Sequence, residues 1–160
     1  MRALRLAALR SDPLAFGSTF AKDAAREPSY WIDLVRRNAE GGNEALWVAE
    51  RTGGALVGMI GAFPHDGVHY VWGMWVDPAH RSTGLGGRLL DRLIDWAVGE
   101  DARRVLRLDV NPAQRAASQL YRSRGFVGTG RHKPLAHAPE VLLDEMELRP
   151  TGGSPRVPGH

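Results

Sequence analysis

The sequence predicts an α/β or α+β fold on a mixed sheet. Three features predict it. Residues 46–76 set apolar runs between Gly-rich turns, the pattern of consecutive antiparallel strands. Residues 68–110 read as strand, loop, long helix and strand, enough chain for a parallel crossover. Residues 114–148 add a short helix and a closing antiparallel pair. The order is ααβββαβαββ.

The elements follow in turn. Residues 3–10 set Leu4, Leu6 and Leu9 among Ala and Arg, all strong helix formers. Asp12-Pro13 ends that helix, because proline disfavours helix in the residue before it. SDPLAFGST reads as loop. A second helix starts near Ser29, a good N-cap. Its stripe is Trp31, Ile32, Leu34 and Val35, and Gly41-Gly42 stops it. Strands follow at Leu46–Glu50, Ala55–Phe63 and Val68–Val76, separated by RTGG and PHDG. The best helix starts at Gly84-Leu85. It puts Leu85, Leu89, Leu90, Leu93, Ile94, Trp96 and Ala97 on one face and Arg88, Asp91, Arg92 and Asp95 on the other. Val105–Val110 is a strand that turns Arg107 and Asp109 away from Leu106, Leu108 and Val110. Gln114–Arg124 is helix, ended by Gly125. Phe126–Gly130 and Val141–Leu148 are the last two strands, joined by a loop. The tail from Pro150 is rich in Gly, Pro and Ser and reads as disordered.

Composition narrows the function. At 160 residues the chain has room for one domain, residues 1–149, followed by the tail 150–160. Apolar residues at 43% and charged residues at 24% are those of a globular protein. The absence of cysteine excludes disulfides, thiolate metal sites and cysteine nucleophiles, and it suits a cytoplasmic protein. No apolar run is long enough to span a bilayer, and arginines break up the start where a signal peptide needs an apolar core. No metal site or membrane association is therefore expected. A net charge of +3 suits an anionic ligand but is too small to argue for nucleic acid.

The chemistry concentrates in VDPAHRSTGLGGRLL. A strand ends at Val76, and small residues lead into a helix whose first amides are unpaired and carry partial positive charge. Arg81 and Arg88 add charge, and Ser82 and Thr83 add hydroxyls. These are the parts of a diphosphate cradle, although an isolated glycine pair is more often only a tight turn. The phosphate-binding G-x-x-x-x-G-K-[ST] is absent. Leu89 stands where a dinucleotide fingerprint needs its third glycine.

Two segments together resemble the GNAT superfamily of N-acetyltransferases. One is R-x-x-G-x-G at Arg81–Gly86 after V-x-P at Val76–Pro78. The other is LDVNPAQRAASQLYRSRGF at 108–126. With the preceding strands the likeness covers residues 46–148. It implies a mostly antiparallel sheet flanked by helices, here without the family's usual first strand. It implies acetyl-CoA as co-substrate, with the diphosphate on the amides of Arg81, Ser82, Thr83, Gly84, Leu85, Gly86 and Gly87. Ser82 stands where members often carry glycine, so its amide serves only if its torsions fit. The coenzyme's pantetheine arm is expected to lie along Trp75, Val76 and Asp77 like an added strand. Asn111 is either a further cofactor contact or simply a turn residue before Pro112.

The implied reaction is acetyl transfer to the primary amine of a small molecule or peptide, by direct attack within a ternary complex. Tyr121 matches the tyrosine that protonates the departing thiolate. Asp109, twelve residues earlier, is the first candidate for the base that frees the attacking amine; the alternative is a solvated or ion-paired aspartate. His69, His80 and Glu44 are weaker candidates. A backbone N–H near Val76 would polarise the thioester carbonyl. The acceptor side is expected from residues 10–45 and 130–140, which hold Phe16, Phe20, Trp31, His132 and His137. The family likeness also admits a homodimer. The competing reading is a non-catalytic acyl-CoA-binding or regulatory module on the same fold.

Overall fold

A computed structural model describes residues 1–150. The helices are α1 (Arg2–Ser11), α2 (Phe20–Ala24), α3 (Pro28–Ala39), α4 (Leu85–Glu100) and α5 (Arg115–Ser123). The strands are β1 (Ala45–Glu50), β2 (Leu56–His65), β3 (Val68–Val76), β4 (Leu106–Val110), β5 (Val127–Leu135) and β6 (Ala138–Leu148). They form one sheet in the order β1-β2-β3-β4-β6-β5, in which only β3 and β4 run parallel. Among the described residues no strand precedes α1. The expected disordered tail, Pro150 apart, lies outside the described residues.

Side-chain alternation divides the core between the two sheet faces. Ile60, Val76, Leu106, Leu108 and Val110 face the α4 side and pack with Leu89, Leu90, Leu93 and Ala97. Burying each of those leucines contributes about 1.5–3 kcal/mol. Their strand neighbours Met59 and Trp75 face the other way and pack with Leu4, Ala8, Leu9 and Phe16. The first helix and the loop after it thus cover one face, and the central helix covers the other.

Two expectations need correction. Between the SDPLAFGST loop and the helix expected near Ser29 lies an additional short helix, α2, capped by Thr19 Oγ1, which accepts from Lys22 N–H at 3.2 Å. Its charges close it onto α1: Asp23, almost fully buried, accepts from Arg5 Nε and Arg26 Nε, both at 3.0 Å. The expected loop at 130–140 is instead mostly strand, with β5 and β6 extending nearly to each other. Gly128, Gly130 and Pro134 hide it in the sequence. Proline is tolerated because β5 is the sheet's edge.

Candidate active site

The site begins where two parallel strands part. β3 pairs with β2 along one edge, but with β4 only at His69–Leu106 and Tyr70–Arg107. Past Tyr70 the wedge between β3 and β4 is closed by α5 and the loop after α1. Two cavities of about 300 Å³ each open there and share Ala15, Met74, Gln114 and Ala117. One reaches Tyr70, Trp72, Asp109, Tyr121 and Lys133. The other runs past Trp75, Val76 and Arg81.

A bulge bends β3 at the middle of this cleft. Met59 opposes Trp75 while Gly61 opposes Trp72, so β3 carries one residue more than β2 across that interval. Gly73 supplies the turn at φ +67°, a conformation glycine adopts without steric cost. A glycine inside an apolar strand is the sequence signal for such a bulge. Beside it, the Trp72 indole packs against Gly61, where a Cβ would come within 2.5 Å of it.

The loop after β3 is built to expose amides. Asp77 closes a 3-10 turn, its Oδ1 accepting from Ala79 N–H at 2.8 Å. Ser82 adopts φ +62° and Gly84 φ +80°, so Ser82 takes the glycine-like torsion at a cost of about 1–2 kcal/mol. The first amide bonded within α4 is that of Arg88, to the Gly84 carbonyl at 3.1 Å. Those of Leu85, Gly86 and Gly87 precede it and are the open donors of the helix start. A Cβ on Gly86 would meet Met74 at 3.2 Å and Leu120 at 3.4 Å, so this glycine lets α4 close onto β3 and α5. Open amides, a close backbone and Arg81 and Arg88 nearby fit a diphosphate.

Asp12 locks this loop to α1. Its carboxylate accepts from Arg81 Nη2 at 2.7 Å and Trp75 Nε1 at 2.8 Å, while Arg81 Nε donates to the Val76 carbonyl at 2.9 Å. Burial pushes the Asp12 pKa up, but hydrogen bonds from Arg81, Ser11 and Trp75 outweigh it, and the net value falls below 3.8. With the folded pKa below the unfolded one, the stabilisation is complete above the ordinary carboxylate pKa. It is lost as pH falls through the folded value. Asp12→Asn is expected to cost roughly 1 kcal/mol at neutral pH and to flatten the acid limb of a thermal-stability profile. An acid limb identical to that of the parent would contradict this role.

The other sequence candidates divide by position. Tyr121 and Asp109 line the same cavity. Tyr121 is buried against Phe126, ring centroids 5.7 Å apart, and burial alone drives its phenol pKa well above 10. Asp109 faces away from the α4 core and is ion-paired with Lys133. Trp75 and Val76 line the cleft, whereas both main-chain groups of Asp77 are engaged, N–H to Val57 and C=O from His80, each at 2.8 Å. Asn111 forms a turn: its Oδ1 accepts from Ala113 N–H at 3.0 Å, and its Nδ2 donates to the Leu14 carbonyl at 3.4 Å.

His69, His80 and Glu44 lie outside the cleft lining. His69 contacts Asn43 Oδ1 at 2.7 Å, and burial and Arg104 lower its pKa. His80 sits 3.5 Å from Asp77, and Glu44 3.5 Å from Arg37. On the acceptor side Phe16 lines the cavity, and His137 Nε2 meets its carbonyl at 2.8 Å. Phe20 packs beside α1, Trp31 is buried in α3, and His132 pairs with Asp144 at 2.8 Å. Sequence reasoning missed Arg5, Tyr70, Trp72 and Lys133 as cleft residues. Only the strand order brings them there.

Comparisons with known proteins bear on the family and the fold. The family model described as acetyltransferase (GNAT) family matches residues 7–126. The N-alpha-acetyltransferase RimI of Mycobacterium tuberculosis is 39% identical over 92 residues, covering 52% of this chain and 53% of that protein. An uncharacterised Mycobacterium leprae protein is 36% identical over 108 residues, covering 61% of this chain and 28% of its own length. The chain thus spans about half or less of the curated relatives it matches. Among solved structures, a GNAT acetyltransferase of Streptococcus pneumoniae superposes with TM-score 0.69 at 19% identity, covering 79% of this chain and 78% of that one. The spermidine N-acetyltransferase of Vibrio cholerae, in complex with CoA and spermine, gives TM-score 0.71 at 16% identity, covering 92% and 88%. Such low identities speak for the fold alone. With three quarters of its length matched by the family model, the chain belongs to the GNAT acetyltransferase family.

Proposed function

We propose that residues 1–149 act as one domain that transfers an acetyl group from acetyl-CoA to a primary amine. The observation that carries this reading is the parting of β3 and β4 after Tyr70. It leaves two adjoining cavities that together run from Val76 and Arg81, ahead of the start of α4, to Tyr121 and Asp109. Bound acetyl-CoA supplies a thioester with an electrophilic acyl carbon. The amides of residues 82–87 hold its diphosphate; that of Arg81, expected from the sequence to join them, donates instead to the Pro78 carbonyl at 3.4 Å. The edge of β3 at Trp75–Val76, where the Val76 carbonyl also accepts from Arg81 Nε at 2.9 Å, pairs with the amide-bearing arm. Backbone N–H groups beside the Gly73 bulge polarise the thioester carbonyl. Asp109 accepts the acceptor's proton, because only a neutral amine has the lone pair to attack. Tyr121, held as a neutral phenol by burial, donates a proton to the departing thiolate.

The amine is the open part of the reading. The RimI relative, an N-alpha-acetyltransferase by name, points to an α-amine, and the spermidine enzyme shares the fold. An assay of thiol release from acetyl-CoA against peptides, polyamines and amino acids tests the proposal. Release that depends on one amine class, with the acetylated amine found by mass spectrometry, supports it. Acetyl-CoA binding without release for any amine supports the binding-module reading instead. Cytoplasmic location, assembly as a homodimer and indifference to nucleic acid belong to the same proposal. Sedimentation and a DNA-binding assay test the last two.

A further inference from the structure

The chain has only two lysines, Lys22 and Lys133. Lys22 is exposed on α2. Lys133, on edge strand β5, reaches across β6 into the cleft. Its Nζ pairs with the Asp109 carboxylate and lies 5.7 Å from the centroid of the Tyr70 ring. Lys133, Asp109, Tyr70 and Tyr121 line one cavity. A carboxylate beside an aromatic face is the chemistry that receives an ammonium group. The protein's own side chain therefore stands where an acceptor amine would be bound and deprotonated. The Lys133 side chain is 56% exposed while that of Asp109 is only 13% exposed, so the lysine end of the pair is open to solvent and a soluble amine can displace it. Unlike the neighbouring Arg5, lysine can lose its proton and act as a nucleophile.

We propose that Lys133 is an internal acceptor, acetylated on its own ε-amine when no external amine displaces it. The proposal rests on the acetyltransferase reading. The Lys133 ammonium gives a proton to Asp109, and its lone pair attacks the acyl carbon of acetyl-CoA. The N–C bond forms, the C–S bond breaks, and the electron pair leaves on the coenzyme sulfur. Tyr121 protonates that sulfur; the second proton of the attacking nitrogen is lost as the tetrahedral adduct collapses and, through solvent, restores the phenol, while Asp109 releases its proton to solvent. The product is a neutral acetamide, which cannot remain ion-paired with Asp109. Acetylation therefore leaves the carboxylate free of its internal cation.

The test incubates the full chain with isotopically labelled acetyl-CoA and no added amine. Peptide mass spectrometry reads the label, and calorimetry follows acetyl-CoA binding in parallel. Label is expected on Lys133 at least about tenfold faster than on Lys22, the advantage of a positioned nucleophile. Its rate should not depend on protein concentration, and an added acceptor amine should slow it. Lys133→Arg should keep acetyl-CoA binding and remove the label. Equal labelling of both lysines, or no label on Lys133 while calorimetry shows acetyl-CoA bound, overturns the proposal and leaves the acetyltransferase reading standing. No acetyl-CoA binding at all overturns that reading and this proposal with it.

Discussion

Replacing Tyr121 by phenylalanine is expected to lower kcat by about 10²-fold or more, the usual contribution of a positioned general acid. Acetyl-CoA binding should hardly change. The ring stays, so the packing on Phe126 and the shape of the cavity survive. Only the hydroxyl is lost. Burial alone raises the Tyr121 pKa, with no neighbouring charge or hydrogen bond contributing. The phenol therefore stays protonated past the ordinary tyrosine value of about 10. The parent enzyme should lose no activity to tyrosine ionisation near that pH. A variant with unchanged kcat removes Tyr121 from the mechanism, and a parent profile that falls at the ordinary phenol pKa contradicts its burial.

Gly84→Glu is expected to abolish measurable acetyl-CoA binding. Gly84 sits at φ +80° as the residue before α4, where a side chain costs about 1–2 kcal/mol in backbone strain. A Cβ there has space, its nearest neighbour being Arg88 Nη1 at 3.5 Å, so the fold should survive. A carboxylate at this point faces the same amides as the diphosphate and repels it. The repulsion is expected to weaken binding by about 10²-fold or more. Gly84→Ala separates the two effects, because it keeps the strain, which is a cost of about 1–2 kcal/mol to folding, and omits the charge; it should lower stability and keep acetyl-CoA affinity near that of the parent. Calorimetry on the folded variants checks both, and wild-type affinity in Gly84→Glu would contradict the cradle.

Local signals were legible in the sequence where chemistry is local. The Leu and Trp spacing of residues 85–97 specifies one buried face, and α4 presents it. The glycines and Arg81 mark an anion loop because the backbone there must turn sharply and stay bare. Asp109 is readable as facing away from the core because strand alternation requires it. Contacts made by topology were not legible. Lys133 reaches Asp109 only because β6 lies between β4 and β5, and glycine and proline disguised β5 as loop. Asp12 appears in the sequence only as the residue that ends a helix. Its grip on Arg81 and Trp75, more than sixty residues away, depends on how α1 crosses the sheet. Ser82 is not a glycine, yet it adopts φ +62°, a torsion that favours glycine.

The most direct measurement is a crystal structure of the protein with CoA bound. The diphosphate should lie on the amides of residues 82–87, with the arm along Trp75 and Val76 and the sulfur directed towards Tyr121. Density at any other place, or none at saturating CoA, would contradict the assignment of this cleft as the coenzyme site.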